Sequence, residues 1–129
     1  VSKFLEFLEF KKNNYNKLHI LLMGLTFKEN TPDIRNSKIF DIFNILKKNK
    51  IKVSIFDPIA DTESIPNNYK KNIIKSPKNK FYDGIIICVG HNKFIKLGKN
   101  NIKKLLKKNN NKIFDLKNIF PNDKSILKL

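Results

Sequence analysis

The sequence is poor in residue types that commonly carry chemistry. It has one cysteine, Cys88, which excludes a disulfide within the chain and makes a reducing, cytoplasmic compartment the expectation. Two histidines and one cysteine form no recognisable metal-binding pattern, so no metal site is predicted. No serine, histidine and acid form a recognisable triad either. The sequence therefore predicts no catalytic residue within this chain.

Long apolar segments are also absent. No apolar run reaches the roughly 18 residues of a membrane span, and glutamates interrupt the apolar residues at 1–10, which argues against a signal peptide. Apolar residues nevertheless make up 40% of the 129 residues, which is enough for one compact domain with its own core. Because the sequence begins with valine, we expect a piece of a longer chain.

Arginine is nearly absent although the net charge is +16, because Arg35 is the only arginine among 27 basic residues. One explanation of this charge is a basic nucleic-acid-binding module. Such surfaces more often combine arginine with aromatic residues, whereas these lysines alternate with asparagine. The pattern favours solvated faces, and we expect no specific nucleic-acid partner and no membrane partner.

The spacing of the apolar residues predicts an α/β domain. Strands are predicted at 18–25, 51–58, 82–90 and 111–120, with a possible short strand at 73–74; helices are predicted at 1–10, after an N-cap at Ser37, and at 94–108 with Leu105 and Leu106 facing inward. Strands that alternate with helices predict a three-layer αβα sandwich with a mainly parallel, Rossmann-like sheet. We interpret 1–17 as the end of a preceding helix with a polar linker, and 18–129 as the domain.

The stretch GLTFKENTPDIRNS, at 24–37, follows the first predicted strand, where ligands bind in such sheets. The motif G-x-G-x-x-G is absent, so a phosphate would have to be held by side chains. Lys28 and Arg35 suit an anion, and Phe27 offers an aromatic face. The alternative is that Phe27 belongs to the core, Lys28 is solvated, and Arg35 pairs with Asp33.

Three other residues at strand ends have two interpretations each. Asp57 is either a ribose-binding acid or the cap of a turn before Pro58, and its position 33 residues after Gly24, against about 20 in dinucleotide-binding domains, favours the turn. Cys88 is either a nucleophile or a small buried hydrophobe, and its apolar strand favours the latter. His91 either reaches a ligand or makes a hydrogen bond within a loop.

The chain resembles the C-terminal domain of the UDP-glucose/GDP-mannose dehydrogenase family. The resemblance rests on GLTFKENTPDIRNS, VSIFDP, YDGIIICVGHNKF and IFDLKNIF, covers about 18–120, and is greatest to the UDP-N-acetylhexosamine dehydrogenases of polysaccharide synthesis. It implies a part of an NAD-dependent enzyme that oxidises the C6 alcohol of a UDP-sugar to a carboxylate. Such enzymes usually form homodimers.

The resemblance also implies roles for four residues. Phe27 and Lys28 match a pair that contacts the UDP-sugar, and Lys117 lies near a basic substrate-binding position that is often arginine. Arg35 matches an arginine that reaches towards NAD, which an N-terminal domain mainly binds. The family's catalytic cysteine segment and dinucleotide-binding domain are missing from these residues, so the fragment is expected to be inactive alone. A degenerate remnant that binds nothing is a further alternative.

Overall fold

The computed structural model describes residues 12–35, 37–108 and 112–128. The helix predicted at 1–10 lies outside the described residues. A 3₁₀ helix at Lys12–Lys17 occupies most of the predicted linker. Its end is closed by a hydrogen bond of 3.0 Å from the Leu18 N–H to the Tyr15 carbonyl oxygen. The domain boundary before residue 18 stays a prediction.

The described residues form a six-stranded sheet in which every pair of neighbouring strands is parallel. The strands are β1 (His19–Met23), β2 (Lys52–Phe56), β3 (Ile73–Ile74), β4 (Gly84–Ile87), β5 (Ile113–Asp115) and β6 (Leu127–Lys128). Their spatial order, β3-β2-β1-β4-β5-β6, is that of the Rossmann fold, and the direction of winding reverses between β1 and β4. The predicted α/β class and parallel sheet are confirmed.

Helices cover both faces of this sheet. They are α1 (Ile39–Lys48), α2 (Asn67–Lys70), α3 (Asn92–Leu97) and α4 (Lys99–Lys103), with a short 3₁₀ helix at Thr62–Ser64. Alternate residues of β1 point to opposite faces, so Ile20 and Leu22 share a core cluster with Phe43 of α1, whereas Leu21 shares one with Phe94 of α3. The three-layer arrangement is therefore confirmed. None of the helices in the described residues is long and apolar enough to cross a membrane.

Two predicted elements were wrong in extent. The helix predicted at 94–108 is broken at Gly98, which has a φ of 85°, and its second part, α4, ends at Lys103. Leu105 and Leu106 are nevertheless buried, as predicted. The strand at 111–120 is confined to Ile113–Asp115, because the Asp115 carboxylate accepts hydrogen bonds from the N–H groups of Lys117 and Phe120 and turns the chain.

Other boundaries differ less. The predicted strands at 18–25, 51–58 and 82–90 each contain a shorter observed strand, and the short strand at 73–74 is confirmed. Lys38, and not Ser37, is the N-cap of α1; the Ser37 hydroxyl accepts only a long bond of 3.4 Å from the Ile39 N–H. β6 was not predicted, since two residues are too few to show a pattern.

Candidate functional site

Gly24 ends β1 at the point where the sheet changes its winding direction. Its φ is 107°, and a Cβ added there would lie 2.6 Å from the Cβ of Val89, which follows β4. Only glycine allows this close approach without strain. The segments after β1 and β4 therefore lie in direct contact at Gly24.

A cleft of about 590 Å³ opens at this place. Phe27 contributes from the segment after β1, Val89 from that after β4, Lys117 from that after β5, and Ser37 and Lys38 from the beginning of α1. In open parallel sheets, ligands bind at the carboxyl ends of the strands where the winding reverses. The cleft therefore occupies the position at which this fold binds ligands.

The cleft brings two of the four predicted site residues together. The Phe27 ring is 54% exposed and borders the cleft, so the alternative that it belongs to the core is wrong. The Phe27 N–H donates to the Asp33 carbonyl oxygen at 2.7 Å, which closes the loop behind the ring. Lys117 is exposed and also borders the cleft, which thus combines an aromatic face with an amine.

Lys28 and Arg35 are exposed outside the residues that line this cleft. Arg35 pairs with Asp33 at 2.9 Å, and its side chain is 85% exposed. The hydrogen bond from the Arg35 side chain lowers the pKa of Asp33 to about 2. Arg35 borders a second, smaller hollow together with Asp61. The alternative pairing with Asp33 is therefore observed, and the guanidinium still faces solvent.

Asp57 caps a turn, as predicted, but its carboxylate has further partners. One oxygen accepts the N–H groups of Ile59 and Ala60 at 2.8 and 3.0 Å. The other accepts the N–H groups of Leu25 and Thr26, at 2.6 and 3.3 Å, and the His91 ring. Burial raises the pKa of Asp57, but the hydrogen bonds from His91 and the backbone outweigh burial, so the pKa is lowered overall.

His91 is fully buried and makes hydrogen bonds within the loops, which is the second of the two interpretations left open from the sequence. Its Nε2 lies 2.9 Å from Asp57, and its Nδ1 accepts the Asn30 N–H at 2.9 Å. The pairing of His91 with Asp57 was not predicted from the sequence. Both residues closely follow strands that flank β1, and that shared position is the signal that could have revealed the contact.

Cys88 is a buried thiol. Burial raises the pKa of the Cys88 thiol to about 12, and its Sγ donates to the Ile86 carbonyl oxygen, so the interpretation as a buried hydrophobe is confirmed. Within residues 12–35, 37–108 and 112–128, no group of three or more His, Cys, Asp or Glu side chains is arranged to hold a metal ion.

The residues at the ends of β1 and β2 do not fit a dinucleotide held in the Rossmann manner. That manner needs a glycine-rich turn after β1 and a free acid near the end of β2. Here Gly24 is followed by Leu25 and Thr26, whose N–H groups are bonded to Asp57. The Asp57 side chain is only 1% exposed, so it is not free to bind a ribose.

Comparison with known proteins supports the resemblance seen in the sequence. Residues 21–122 match the model described as "UDP-glucose/GDP-mannose dehydrogenase family, UDP binding domain". The chain belongs to this family. It is 44% identical over 110 residues to a UDP-N-acetyl-D-glucosamine 6-dehydrogenase of Pseudomonas aeruginosa, and 39% identical over 110 residues to that of Salmonella typhi. Each match covers 85% of this chain and 26% of the relative, so the chain spans about a quarter of the length of these family members.

Solved structures of the family show the same fold. A UDP-D-ManNAc dehydrogenase from Pyrococcus horikoshii superposes with a TM-score of 0.69 at 22% identity, over 98% of this chain and 27% of that chain. At this identity the likeness concerns the fold alone.

Proposed function

We propose that this chain is the UDP-sugar-binding part of an NAD-dependent nucleotide-sugar 6-dehydrogenase and that it holds the nucleotide half of the sugar nucleotide in the cleft. The proposal is supported above all by the position of the cleft, at the winding reversal of a domain that matches the family's UDP binding domain. Alone, the chain is not catalytic.

The residues of the cleft suit a nucleoside diphosphate. The exposed Phe27 ring offers a flat apolar face on which a base or sugar packs. Lys117 and Lys38 supply cations for a phosphate, and the N-terminal end of α1 adds positive potential from the helix dipole, which Asp41 in the first turn partly offsets. In this proposal Lys28, next to Phe27, contacts the phosphates from the rim of the cleft.

NAD enters the proposal as the hydride acceptor of the whole enzyme, held mainly by a separate dinucleotide-binding domain. The residues at the ends of β1 and β2 in this chain do not fit the dinucleotide. We propose that Arg35, on the outer side of the loop, contacts the dinucleotide, because the planar guanidinium donates two hydrogen bonds that match a phosphate. We also propose a cytoplasmic homodimer for the complete enzyme.

The substrate class is proposed from the names of the relatives. Those with 44% and 39% identity act, by name, on UDP-N-acetyl-D-glucosamine, whereas a UDP-glucose 6-dehydrogenase of Rickettsia prowazekii is 32% identical. A UDP-N-acetylhexosamine is therefore the proposed substrate, and its oxidation at C6 would supply a polysaccharide precursor.

The test is an NMR titration of the ¹⁵N-labelled chain with UDP. We expect saturable shifts of the backbone amides at 26–28, 88–90 and 116–118, which surround the cleft. NAD⁺ at the same concentration should not shift them. Saturable shifts confined to other parts of the molecule, or no saturable shifts, would refute the proposal.

A further inference from the structure

The His91 side chain lies beneath the segment that carries Phe27 and Lys28, and the proposed binding chemistry does not use it. It connects three segments that follow neighbouring strands. It belongs to the segment after β4, contacts Asp57 after β2, and accepts the N–H of Asn30 in the segment after β1. With no exposed surface, the ring cannot contact a ligand itself.

The contact between His91 and Asn30 is part of a reciprocal pair. The Asn30 N–H donates to His91 Nδ1 at 2.9 Å, and the Asn92 N–H donates to the Asn30 side-chain oxygen, also at 2.9 Å. Asn30 has a φ of 62°, a conformation that asparagine tolerates better than most residues. These two bonds fix one end of the segment 25–30.

The other end of this segment is fixed by Asp57, which accepts the Leu25 N–H at 2.6 Å. Phe27 and Lys28 lie between the two fixed ends, and their side chains are exposed. The Thr26 hydroxyl adds a bond of 2.8 Å to the Lys28 carbonyl oxygen. The shape of the segment that borders the cleft therefore depends on buried partners outside it.

The two ring nitrogens of His91 have different hydrogen-bond partners. Nδ1 accepts an N–H group, so it carries no hydrogen, and Nε2 therefore carries the hydrogen that it donates to Asp57. The Nε2 bond satisfies the buried Asp57 carboxylate and so contributes mainly to stability; the Thr26 hydroxyl, 3.3 Å from Nε2, donates instead to the Lys28 carbonyl oxygen. The Nδ1 bond holds the segment that carries Phe27 in place and therefore helps to define the shape of the cleft.

We propose that His91 is a positioning residue for nucleotide binding, acting through Nδ1 and Asn30 on the segment that presents Phe27 and Lys28. This inference rests on the proposed function, because it assumes that the segment binds the nucleotide. Without the Nδ1 bond the segment samples other conformations. The apparent affinity for UDP then falls in proportion to the fraction of molecules that remain competent to bind.

Two substitutions separate the two nitrogens. The amide of His91→Gln reaches the place of Nε2 and can donate to Asp57, but it leaves the Asn30 N–H without an acceptor. The amide of His91→Asn places its oxygen near Nδ1, where it can accept the Asn30 N–H, but it does not reach Asp57. His19→Gln is a matched control, because His19 lies at the opposite end of β1 and bonds to the Ser54 hydroxyl at 2.7 Å.

The measurements are the dissociation constant for UDP, by NMR titration, and the Tm of each variant of the 129-residue chain. We expect His91→Gln to weaken UDP binding by about tenfold with a small change in Tm. His91→Asn should recover most of this affinity while its Tm falls further. His19→Gln should alter Tm without altering UDP affinity.

Wild-type affinity in His91→Gln, or equal losses of affinity in the Gln and Asn variants, would overturn the role of His91 and leave the proposed function intact. A wild-type chain that does not bind UDP would instead refute the proposed function. If His91→Gln does not fold, hydrogen exchange of the Asn30 backbone amide in the wild-type chain decides the question, because this N–H is the donor to His91 Nδ1. UDP binding should slow the exchange, since only molecules with this bond in place are competent to bind. Exchange that UDP leaves unchanged would overturn the proposal.

Discussion

The Asp57 carboxylate joins the segments that follow three neighbouring strands. It accepts bonds from four backbone N–H groups and from the His91 ring, and all of these partners donate. A carboxylate is the only common side chain of this size that accepts on both atoms. The segments after β1, β2 and β4 therefore depend on one ionised group.

Replacing Asp57 with asparagine should destabilise the fold strongly. Either orientation of the asparagine amide turns its NH₂ group towards buried donors, so at least two bonds are lost and a donor faces a donor. We expect the free energy of unfolding to fall by about 3 kcal/mol. Urea unfolding at pH 7 measures this change; a decrease of under about 1 kcal/mol would contradict it.

The same variant has a defined pH dependence. The pKa of Asp57 in the folded chain is lowered below its ordinary value of 3.8, so its contribution to stability is complete above that pH and is lost as the pH falls through the folded value. The difference in unfolding free energy between the wild type and Asp57→Asn should therefore narrow below about pH 4. A difference that is constant from pH 7 to pH 3 would show that ionisation of Asp57 does not matter.

Arg35 should be dispensable for stability, in contrast to Asp57. Its pair with Asp33 is exposed, and such pairs contribute little. In the complete enzyme we expect Arg35→Lys to raise the KM for NAD⁺ by about tenfold, because lysine cannot reproduce the two-pronged contact with a phosphate, and to leave Tm unchanged. A lower Tm with an unchanged KM would identify Arg35 as a strut of the loop and refute its assignment to the cofactor.

Among the secondary-structure elements, α3 and α4 show how one residue sets a boundary. Gly98 separates them, with φ and ψ of 85° and 152°, in a region that is open almost only to glycine. The Gly98 N–H still donates to the Phe94 carbonyl oxygen, and its own carbonyl accepts the Ile102 N–H. Gly98 thus ends one helix and begins the next, and both Phe94 and Ile102 reach the core.

Gly98→Ala should therefore destabilise the chain through backbone strain alone. A Cβ at Gly98 would meet no atom within 4 Å, so a steric clash is not the cause. We expect a loss of about 1–3 kcal/mol in the free energy of unfolding. Asn100→Ala, on the exposed side of α4, is the control and should change stability by less than about 0.5 kcal/mol. Equal effects of the two substitutions would exclude strain at Gly98.

The longer elements could be predicted because burial leaves a pattern in the sequence. β1 and β4 are buried on both faces and give nearly continuous apolar runs, β2 gives a shorter run that Ser54 interrupts, and α1 buries every third or fourth residue. The break at Gly98 and the strand β6 could not be predicted in this way. A single glycine does not fix the backbone angles, and two residues carry no period.

The site was predictable only in part, for a similar reason. Phe27 and Lys117 could be named from the resemblance, and the winding order brings both to one cleft. The bond between His91 and Asp57 joins residues 34 positions apart, so its existence depends on the order of the strands. Nothing in the local sequence around either residue specifies that order.

At the scale of the whole molecule, the lysines at 17–35, 37–108 and 112–128 lie outside the core. No lysine is buried among the described residues, whose buried polar and charged side chains are Thr26, Ser54, Asp57, His91 and Asp115. This distribution agrees with the interpretation of the lysine-rich segments as solvated faces. Most of these lysines therefore face solvent, and we propose that ligand recognition rests on the few cations around the cleft.

The central claim is that the cleft at the winding reversal binds the nucleotide half of a UDP-sugar. The most direct test is the dissociation constant of the chain for UDP, measured by NMR titration for the wild type, Lys117→Ala and Lys104→Ala. Lys117 borders the cleft, and Lys104, which follows α4, is also exposed but lies outside the residues that line the cleft. The two variants remove the same charge.

We expect Lys117→Ala to raise the dissociation constant for UDP by roughly ten- to a hundredfold, the contribution of one charge-assisted bond to a phosphate, while Lys104→Ala leaves it near the wild-type value. Equal weakening by both variants would mean that UDP responds only to the overall charge of the molecule. Unchanged binding in Lys117→Ala would mean that UDP does not occupy this cleft. Either result would contradict the central claim.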